Sequence, residues 1–168
     1  MNASNATSTL QQAIADCGDR TEGGTVLVPA PLTLFTASLW MRSNLTLRVE
    51  TGASLVSTAT GTGDTSASID DAPMVYTRRN SLMTWAHAGM INGARCTKLK
   101  APLVGWDDCA EWDKLSNVVL EGGGLLDANG MDWFLQWGKS HDSNQRPMML
   151  DLLWVDGLTV HRALTAAL

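Results

Sequence analysis

The sequence predicts an all-β fold, a parallel β-helix with a short capping helix at its N-terminus, and three observations support this class. A short turn-and-strand motif recurs along the chain, and turns rich in glycine or small residues separate brief β-branched runs. No long helical period follows the first 17 residues. A doubly wound parallel sheet would need a crossover helix after each strand, so this pattern favours a solenoid.

The first element is an amphipathic helix predicted over residues 9–17. Apolar residues recur there at helical spacing: Leu10, Ala13, Ile14 and Cys17. Ser8 and Gln11 have the spacing of a capping box, and Gly18 ends the helix. Because the end of a β-helix exposes apolar interior and unpaired strand edges, we expect this helix to cover one end. The β-branched run 25–28 then predicts the first strand.

Three later segments repeat one motif that predicts a turn leading into a strand. Residues 43–47 and 116–120 share the form Ser-Asn-apolar-x-Leu, and residues 156–160 are a looser copy that begins Asp-Gly. The spacing between copies is irregular, as in a solenoid with loops inserted between its strands. The triple glycine at 122–124 precedes two leucines instead of a capped helix, so it predicts a close-packed turn and not a phosphate-binding loop.

The region 69–111 interrupts this pattern and is predicted to be an inserted loop region within a single domain that spans residues 1–168. It has few strand signals but is rich in chemically distinctive side chains: Arg78, Arg79, Trp85, His87, Cys96, Trp106 and Cys109. Long loops on a repetitive scaffold often carry function.

Size and charge exclude several classes of function. The chain has 168 residues, 45% of them hydrophobic and 17% charged, with a net charge of −5, which suits one acidic globular domain. An acidic balance argues against a nucleic-acid partner, and no stretch approaches the ~20 apolar residues of a membrane span. The opening residues have neither a basic nor an apolar segment, so no signal peptide is expected in this chain.

Four collinear segments, residues 10–30, 39–55, 115–134 and 145–160, resemble the N-terminal half of glycoside hydrolase family 28, the polygalacturonase family. The resemblance implies a right-handed parallel β-helix of the pectin lyase-like type and a secreted, extracellular enzyme. It also implies hydrolysis of the α-1,4-galacturonosyl bonds of pectin with inversion, pectin or polygalacturonate as the partner, and no cofactor. The predicted function is therefore that of a polygalacturonase-like glycosidase.

The resemblance places the family's catalytic motifs outside this sequence. They are an Asn-Thr-Asp segment, a Gly-Asp-Asp turn, a Gly-His-Gly turn and an Arg-x-Lys segment, and all follow the strand that matches residues 156–160. The sequence stops at Leu168. We therefore expect an N-terminal portion, truncated at its C-terminal end, that has no catalytic residues of its own and is inactive alone.

Asp107 and Asp108 superficially imitate the Asp-Asp-Cys site of that family, because Cys109 follows them. Inverting glycosidases do use two carboxyl groups, about 6.5–9.5 Å apart. The pair precedes the 116–120 strand instead of following the 156–160 strand, and no Asn-Thr-Asp segment comes before it. The preferred interpretation is a solvated acidic turn.

The three histidines predict no metal site. His87, His141 and His161 lie far apart in the sequence, and none has the spacing of zinc ligands or a Gly-His-Gly context. We interpret them as ordinary surface or loop histidines.

Trp133, Trp137 and Arg146 are the candidate substrate-binding residues. The two tryptophans would form an aromatic platform for a sugar ring, and Arg146 would pair with a uronate carboxylate. The favoured alternative is packing for the tryptophans and a strand-flanking role for Arg146.

Cysteine and asparagine supply candidate modification sites. Cys96 and Cys109 are a plausible disulfide, which would leave Cys17 free. Three Asn-x-Ser/Thr sequons for glycosylation begin at Asn2, Asn5 and Asn44. The last of these also fits the turn position of the Ser-Asn repeat.

Two other functions stay open on the same fold. A non-catalytic β-helix module, or a pseudo-enzyme remnant, would bind acidic polysaccharide without turnover. A pectin or pectate lyase would cleave by β-elimination, usually with Ca²⁺ held by clustered acids, and the sequence has no such cluster. Assays for binding, hydrolysis and unsaturated product distinguish the three.

Overall fold

The computed structural model describes residues 5–59, 72–79, 82–101, 108–131, 133 and 147–161, and the backbone of 165–167. The helix α1 (Thr7–Cys17) precedes a series of short strands. In chain order the strands are β1 (Gly24–Val28), β2 (Thr33–Thr36), β3 (Leu39–Trp40), β4 (Leu45–Val49), β5 (Ser54–Ser57), β6 (Met74–Arg79), β7 (Leu82–His87), β8 (Ile91–Asn92), β9 (Arg95–Leu99), β10 (Cys109–Asp113), β11 (Leu115–Gly122), β12 (Leu125–Asp127), β13 (Leu150–Asp151), β14 (Val155–His161) and β15 (Thr165–Ala167). The prediction of a mostly β chain with a short N-terminal helix is confirmed.

Three parallel sheets combine strands from distant parts of the chain. The first has the order β1-β4-β11-β14, the second β15-β12-β5-β2 and the third β13-β8-β3. The chain visits them in a constant succession, since β1, β2 and β3 are followed by β4, β5 and β8, and then by β11, β12 and β13. The first copy of the predicted motif spans the turn before β4 and the start of that strand, and the other two lie within β11 and β14. The repeat therefore marks neighbouring strands of the first sheet.

Side chains from one face of the first sheet form the centre of the core. Leu45 pairs with Val118 and Leu47 with Leu120, and all four are at most 1% exposed. Burying each such aliphatic side chain contributes about 1.5–3 kcal/mol. Val160 of β14 pairs with Leu120 but is 55% exposed. The apolar row is therefore buried in the middle of the sheet and exposed at the β14 edge.

Stacked asparagines explain the repeated Ser-Asn. Asn44 and Asn117 have positive φ angles of 57° and 54°, which asparagine tolerates better than most residues. The Nδ2 of Asn117 donates a hydrogen bond to the Oδ1 of Asn44 at 2.9 Å. Gly157, at the matching position within β14, has the same left-handed conformation, with a φ of 71°. The motif thus marks a turn that is stacked from one strand to the next.

The triple glycine is a close-packed turn, as predicted. Gly122 has a φ of 131°, and a Cβ atom there would lie 1.8 Å from the carbonyl oxygen of Val49. The backbone N–H groups of Gly123 and Gly124 both donate to that oxygen at 3.0 Å. No side chain fits between these two segments, which accounts for the glycine.

The predicted capping box at the start of α1 is wrong. The helix begins at Thr7, two residues before the predicted start, and the Oδ1 of Asn5 accepts the N–H of Thr7 at 2.9 Å. Gln11 instead exchanges two hydrogen bonds of 2.9 Å with the backbone N–H and carbonyl of Trp40. Its amide satisfies the open edge of β3, which is why it does not reach back to the helix start.

The helix nevertheless covers one end of the stacked sheets. Leu10 and Ile14 are 5% and 0% exposed and belong to the same core cluster as the strands. The N–H of Ala6 donates to the carbonyl of Phe35 at 2.7 Å, so the segment before the helix pairs with the edge of β2. In the described part of the chain no helix has the length and hydrophobicity needed to cross a membrane.

The region 69–111 differs from the predicted loop. Its described residues include the antiparallel hairpin β6–β7 and strand β9, which pairs with β10 in a second antiparallel hairpin. The short strand β8 lies between them and belongs to the third parallel sheet. The recurring motif did not predict these strands. Strands of a hairpin pair with a neighbour in the chain, so they do not need to share a repeat with distant segments.

Candidate functional site

The third sheet presents one polar and aromatic row on its outer face. Leu39 and Ile91 pair in register and are both 0% exposed, whereas the next residues of the three strands form the row Trp40, Asn92 and Asp151. Successive side chains of a strand point to opposite faces, so this row faces away from the core. It forms the floor of the candidate site.

The two hairpins lie beside this floor and border a half-open cavity of about 410 Å³. Its lining comes from the row on the third sheet, residues 74–77 of β6, Trp85 of β7, and residues 94–99, which include strand β9. A volume of this size lies in the range of small-molecule sites, about 300–1,000 Å³. The site therefore depends on contacts between the parallel sheets and the inserted hairpins.

Aromatic and apolar side chains form one wall. The rings of Tyr76 and Trp85 meet edge to face with centroids 5.9 Å apart. Trp85 is 46% exposed, and Met74 and Leu99 beside the cavity are 50% and 38% exposed. Apolar surface of this kind, concentrated around a cavity, is typical of ligand contact.

A buried ion pair fastens the first hairpin to the floor. Arg79 Nη1 lies 3.2 Å from Asp151 Oδ2, and the two side chains are 6% and 9% exposed. Thr77 Oγ1 donates to the same carboxylate oxygen at 2.8 Å, and Arg79 Nη2 donates to the carbonyl of His87 at 2.8 Å. Arg79 Nε is buried and has no hydrogen-bond partner in the described residues. Asp151 is thus neutralised within the fold.

Asn92 orders the centre of the floor through its side-chain amide. Its Oδ1 accepts the N–H of Gly89 at 2.7 Å, and its Nδ2 donates to the carbonyls of Leu39 and Gly89 at 3.0 and 2.8 Å. These bonds hold the turn before β8 against β3.

Two cations come from β9 and differ in their surroundings. Lys98 Nζ lies 3.3 Å from Glu111 Oε1, and both side chains are exposed. The guanidinium of Arg95 lies over the ring of Trp40, 4.2 Å from its centroid. Within the described residues no carboxylate oxygen lies within 4.0 Å of Arg95. Its cross-strand partner is Asp113, whose Oδ2 lies 3.9 Å from Arg42 Nη1 instead. Arg95 therefore brings to the cavity a positive charge that forms no ion pair among the described residues.

The predicted substrate-binding residues do not line this cavity in the described part of the chain. Trp133 is 5% exposed, its Nε1 donates to the carbonyl of Ala59 at 3.0 Å, and its ring packs against His87 at 5.3 Å. This burial favours the packing interpretation for Trp133. Trp137 and Arg146 lie outside the described residues.

The acidic pair is also only partly described. Asp107 lies outside the described residues, whereas Asp108 is 7% exposed, so the second member of the pair is not a solvated turn residue. The backbone N–H of Asp108 donates to the hydroxyl of Tyr76 at 2.9 Å. This contact places Asp108 behind the aromatic wall of the cavity.

The structure joins Cys96 and Cys109 by a disulfide with a Cα–Cα distance of 5.9 Å, and Cys17 is free. The bond links β9 to β10, and Cys96 lines the cavity. It therefore ties the strand that carries Arg95 to its neighbour.

The sequons and histidines lie away from the cavity or outside the described residues. Asn44 belongs to the stacked turn, Asn5 is exposed before α1, and Asn2 is not described. His87 is buried and contacts the carbonyl of Ala72, and His161 is exposed at the end of β14; His141 is not described.

No three His, Cys, Asp or Glu side chains of the described residues lie close enough together to hold a metal ion.

Sequence reasoning missed the floor of the site. A weak signal exists, since each of the short segments 39–40, 91–92 and 150–151 places an aliphatic residue before a polar or aromatic one. Two-residue strands are too short for this alternation to stand out from chance.

The stacked parallel sheets give the chain a fold shared with glycoside hydrolases. No protein-family model and no curated protein matches the chain. A family 28 exopolygalacturonase from Yersinia enterocolitica has a TM-score of 0.63 at 19% identity, over 96% of this chain and 32% of that structure. A Parabacteroides merdae protein assigned as a glycosyl hydrolase has a TM-score of 0.59 at 18% identity, over 94% of this chain and 55% of that structure.

A third similar structure is the family GH82 iota-carrageenase from A. fortis. Its TM-score is 0.50 at 17% identity, over 96% of this chain and 25% of that structure. The chain thus spans about half the length, or less, of each of these proteins. Likeness at this level of identity establishes a common fold.

Proposed function

We propose that the chain is part of a polygalacturonase-like glycoside hydrolase and has the right-handed parallel β-helix of that family. The constant succession of strands through three parallel sheets supports the β-helix, and the similar fold of a family 28 exopolygalacturonase supports the class. The proposed substrate is pectin or polygalacturonate, cleaved outside the cell by inverting hydrolysis of α-1,4-galacturonosyl bonds.

The cavity on the third sheet is the observation that supports a saccharide as the ligand. It combines an exposed tryptophan, Trp85, with the guanidinium of Arg95, which forms no ion pair in the described residues, and with polar groups on its floor. Sugar rings offer apolar C–H faces to aromatic rings, and uronates add a carboxylate that a guanidinium binds well. An acidic saccharide matches both features.

The contribution of this chain to the reaction is proposed to be binding. Inverting hydrolysis needs one carboxylic acid and one carboxylate, about 6.5–9.5 Å apart, on either side of the scissile bond. The carboxylate of Asp151 at the floor of the cavity is paired with Arg79 and accepts from Thr77, so it is not available as a general base. We therefore expect the chain alone to bind polygalacturonate without hydrolysing it.

Two assays on the purified chain test this proposal. Isothermal titration calorimetry with trigalacturonate should give saturable binding, and a reducing-sugar assay on polygalacturonate should stay at the level of a heat-inactivated control. Turnover above that control would contradict the binding role, and substitution of Asp107 and Asp108 would then be the next step. Absence of any binding would contradict the proposed ligand.

A non-catalytic polysaccharide-binding module is the second candidate, and the same cavity favours it. This candidate predicts the same binding but no hydrolytic activity in any longer form of the protein. Joining the chain to the catalytic half of a family 28 enzyme, followed by the reducing-sugar assay, separates the two, because only a hydrolase half would support turnover. An assay for unsaturated product tests the lyase alternative on the same material.

A further inference from the structure

Among the three charged residues that line the cavity, Arg95 differs from the other two because it forms no ion pair in the described residues. Asp151 is paired with Arg79 inside the fold, and Lys98 is paired with Glu111 at the surface. Arg95 is the remaining charged residue of the lining, and no carboxylate in the described residues lies within 4.0 Å of it. Asp113, its cross-strand partner in β10, lies 3.9 Å from Arg42. Arg95 is therefore the charged group of the lining that has no ion-pair partner in the described residues.

The position of Arg95 also prepares it for a ligand. Its guanidinium lies 4.2 Å from the centroid of the Trp40 ring, which restricts the orientation of the side chain. The neighbouring Cys96 is fixed by the disulfide to Cys109. Because Arg95 is exposed, its remaining N–H groups are accessible from solvent. A planar guanidinium held in this way is suited to bidentate contact with a carboxylate.

We propose that Arg95 determines the specificity of this cavity by binding the carboxylate of an acidic sugar while the ring of Trp85 packs against the sugar's C–H face. The proposal rests on the proposed function, since it takes a saccharide as the ligand. Trp40 is occupied by Arg95 and acts as a positioning residue, whereas Trp85 is 46% exposed and keeps its ring free of a cation in the described residues. The ligand class is a hexuronate with a free carboxylate.

The test compares three ligands and three variants by calorimetry. The ligands are trigalacturonate, its fully methyl-esterified form and a sulfated carrageenan oligosaccharide of similar length. The variants are Arg95→Gln, Arg95→Lys and the control Arg20→Gln, which removes the same charge from an exposed position outside the cavity lining. Circular dichroism and the urea midpoint verify that each variant is folded.

Arg95→Gln is expected to weaken trigalacturonate binding by about 10- to 100-fold and to leave binding of the ester within about twofold. Arg95→Lys should recover part of the loss, because it keeps the charge but not the planar fork. Arg20→Gln should stay within about twofold of the unmodified chain for every ligand. A merely structural role of Arg95 would instead weaken the acid and the ester equally.

The remaining outcomes separate the two proposals. Equal loss for acid and ester, or no loss for either, would overturn the role of Arg95 and leave saccharide binding intact. Tighter binding of the sulfated oligosaccharide than of trigalacturonate would overturn the assignment of a carboxylate ligand. Failure of the unmodified chain to bind any of the three would overturn the proposed function itself.

Discussion

The interior of the first sheet and the outer face of the third sheet are built on opposite principles. In the first sheet each buried position is repeated from strand to strand by a similar side chain, as with Leu47 and Leu120. On the third sheet the matching row consists of three unlike side chains, Trp40, Asn92 and Asp151. Repetition stabilises the stack, and departure from repetition creates a place where chemistry can differ from one strand to the next.

The two regions also differ in how their stability is distributed. The stack shares its apolar contacts among many aliphatic residues, whereas the described hydrogen bonds between the first hairpin and the floor converge on the carboxylate of Asp151. Loss of that carboxylate should therefore cost at least as much as loss of a typical aliphatic side chain.

The largest expected effect is that of Asp151→Ala. The substitution leaves the buried guanidinium of Arg79 unpaired and removes the acceptor of Thr77, so we expect a loss of about 3–5 kcal/mol in the free energy of unfolding, measured in urea. Asp156→Ala removes an exposed carboxylate and should change that free energy by about 0.5 kcal/mol or less. A similar result for both variants would contradict the anchoring role.

A double variant sharpens the interpretation of that result. Arg79→Met with Asp151→Leu removes both charges and replaces them with apolar side chains of similar size. We expect it to be much less destabilised than Asp151→Ala, since apolar replacement of a buried ion pair is often close to neutral. If the double variant were as unstable as Asp151→Ala, the cost would come from packing and not from the unpaired charge.

Leu120→Ala tests the repeated interior. Leu120 is 0% exposed between Leu47 and Val160, so its truncation should leave a cavity and cost about 2–5 kcal/mol of unfolding free energy. Val160→Ala on the same row should cost less than about 1 kcal/mol, because that side chain is 55% exposed. Equal costs for the two variants would show that the row is not buried as described.

The repeated strands of the first sheet could be predicted from the sequence. The Ser-Asn copies at 43–47 and 116–120 lie in neighbouring strands, and the looser copy at 156–160 extends the same sheet. A motif of this kind is local, since it combines a positive-φ turn with apolar alternation in the next five residues. The capping box failed because Gln11 forms hydrogen bonds with Trp40, a partner that no local pattern indicates.

The site was much harder to predict from the sequence. Arg95 contacts Trp40 across more than fifty positions, and Arg79 contacts Asp151 across 72, so each pairing is decided by the packing of the hairpins on the third sheet. Trp133 was a candidate for a sugar platform with packing as the favoured interpretation, but its partner His87 could not be predicted from the sequence. Spacing along the chain identifies neighbours within one element and does not identify neighbours in different sheets.

Removal of the disulfide tests the covalent support of the cavity. Cys96→Ser with Cys109→Ser opens a loop with a sequence separation of 13, and a loop of this length predicts a loss of about 2–3 kcal/mol in the free energy of unfolding. Trigalacturonate binding should weaken as well, because Arg95 adjoins Cys96. Cys17→Ser, at the end of α1, is the control and should leave the affinity unchanged. Unaltered affinity in the double variant would show that the hairpin holds Arg95 without the disulfide.

The smallest expected effect concerns the third copy of the stacked turn. Gly157 has a φ of 71°, and a Cβ atom there would lie 3.0 Å from Asn117 Oδ1, so a small shift of that amide makes room for a side chain. Asn in Gly157→Asn tolerates this φ, restricts the unfolded chain and can donate to Asn117 as Asn117 donates to Asn44, for a gain of about 0.5–1 kcal/mol. Gly157→Ala meets the same contact and the same φ without the amide, so it should lose about 1 kcal/mol. The difference between the two urea midpoints combines the side-chain hydrogen bond with the better tolerance of asparagine for positive φ, and equal midpoints would mean that stacking of the asparagines adds nothing at the β14 edge.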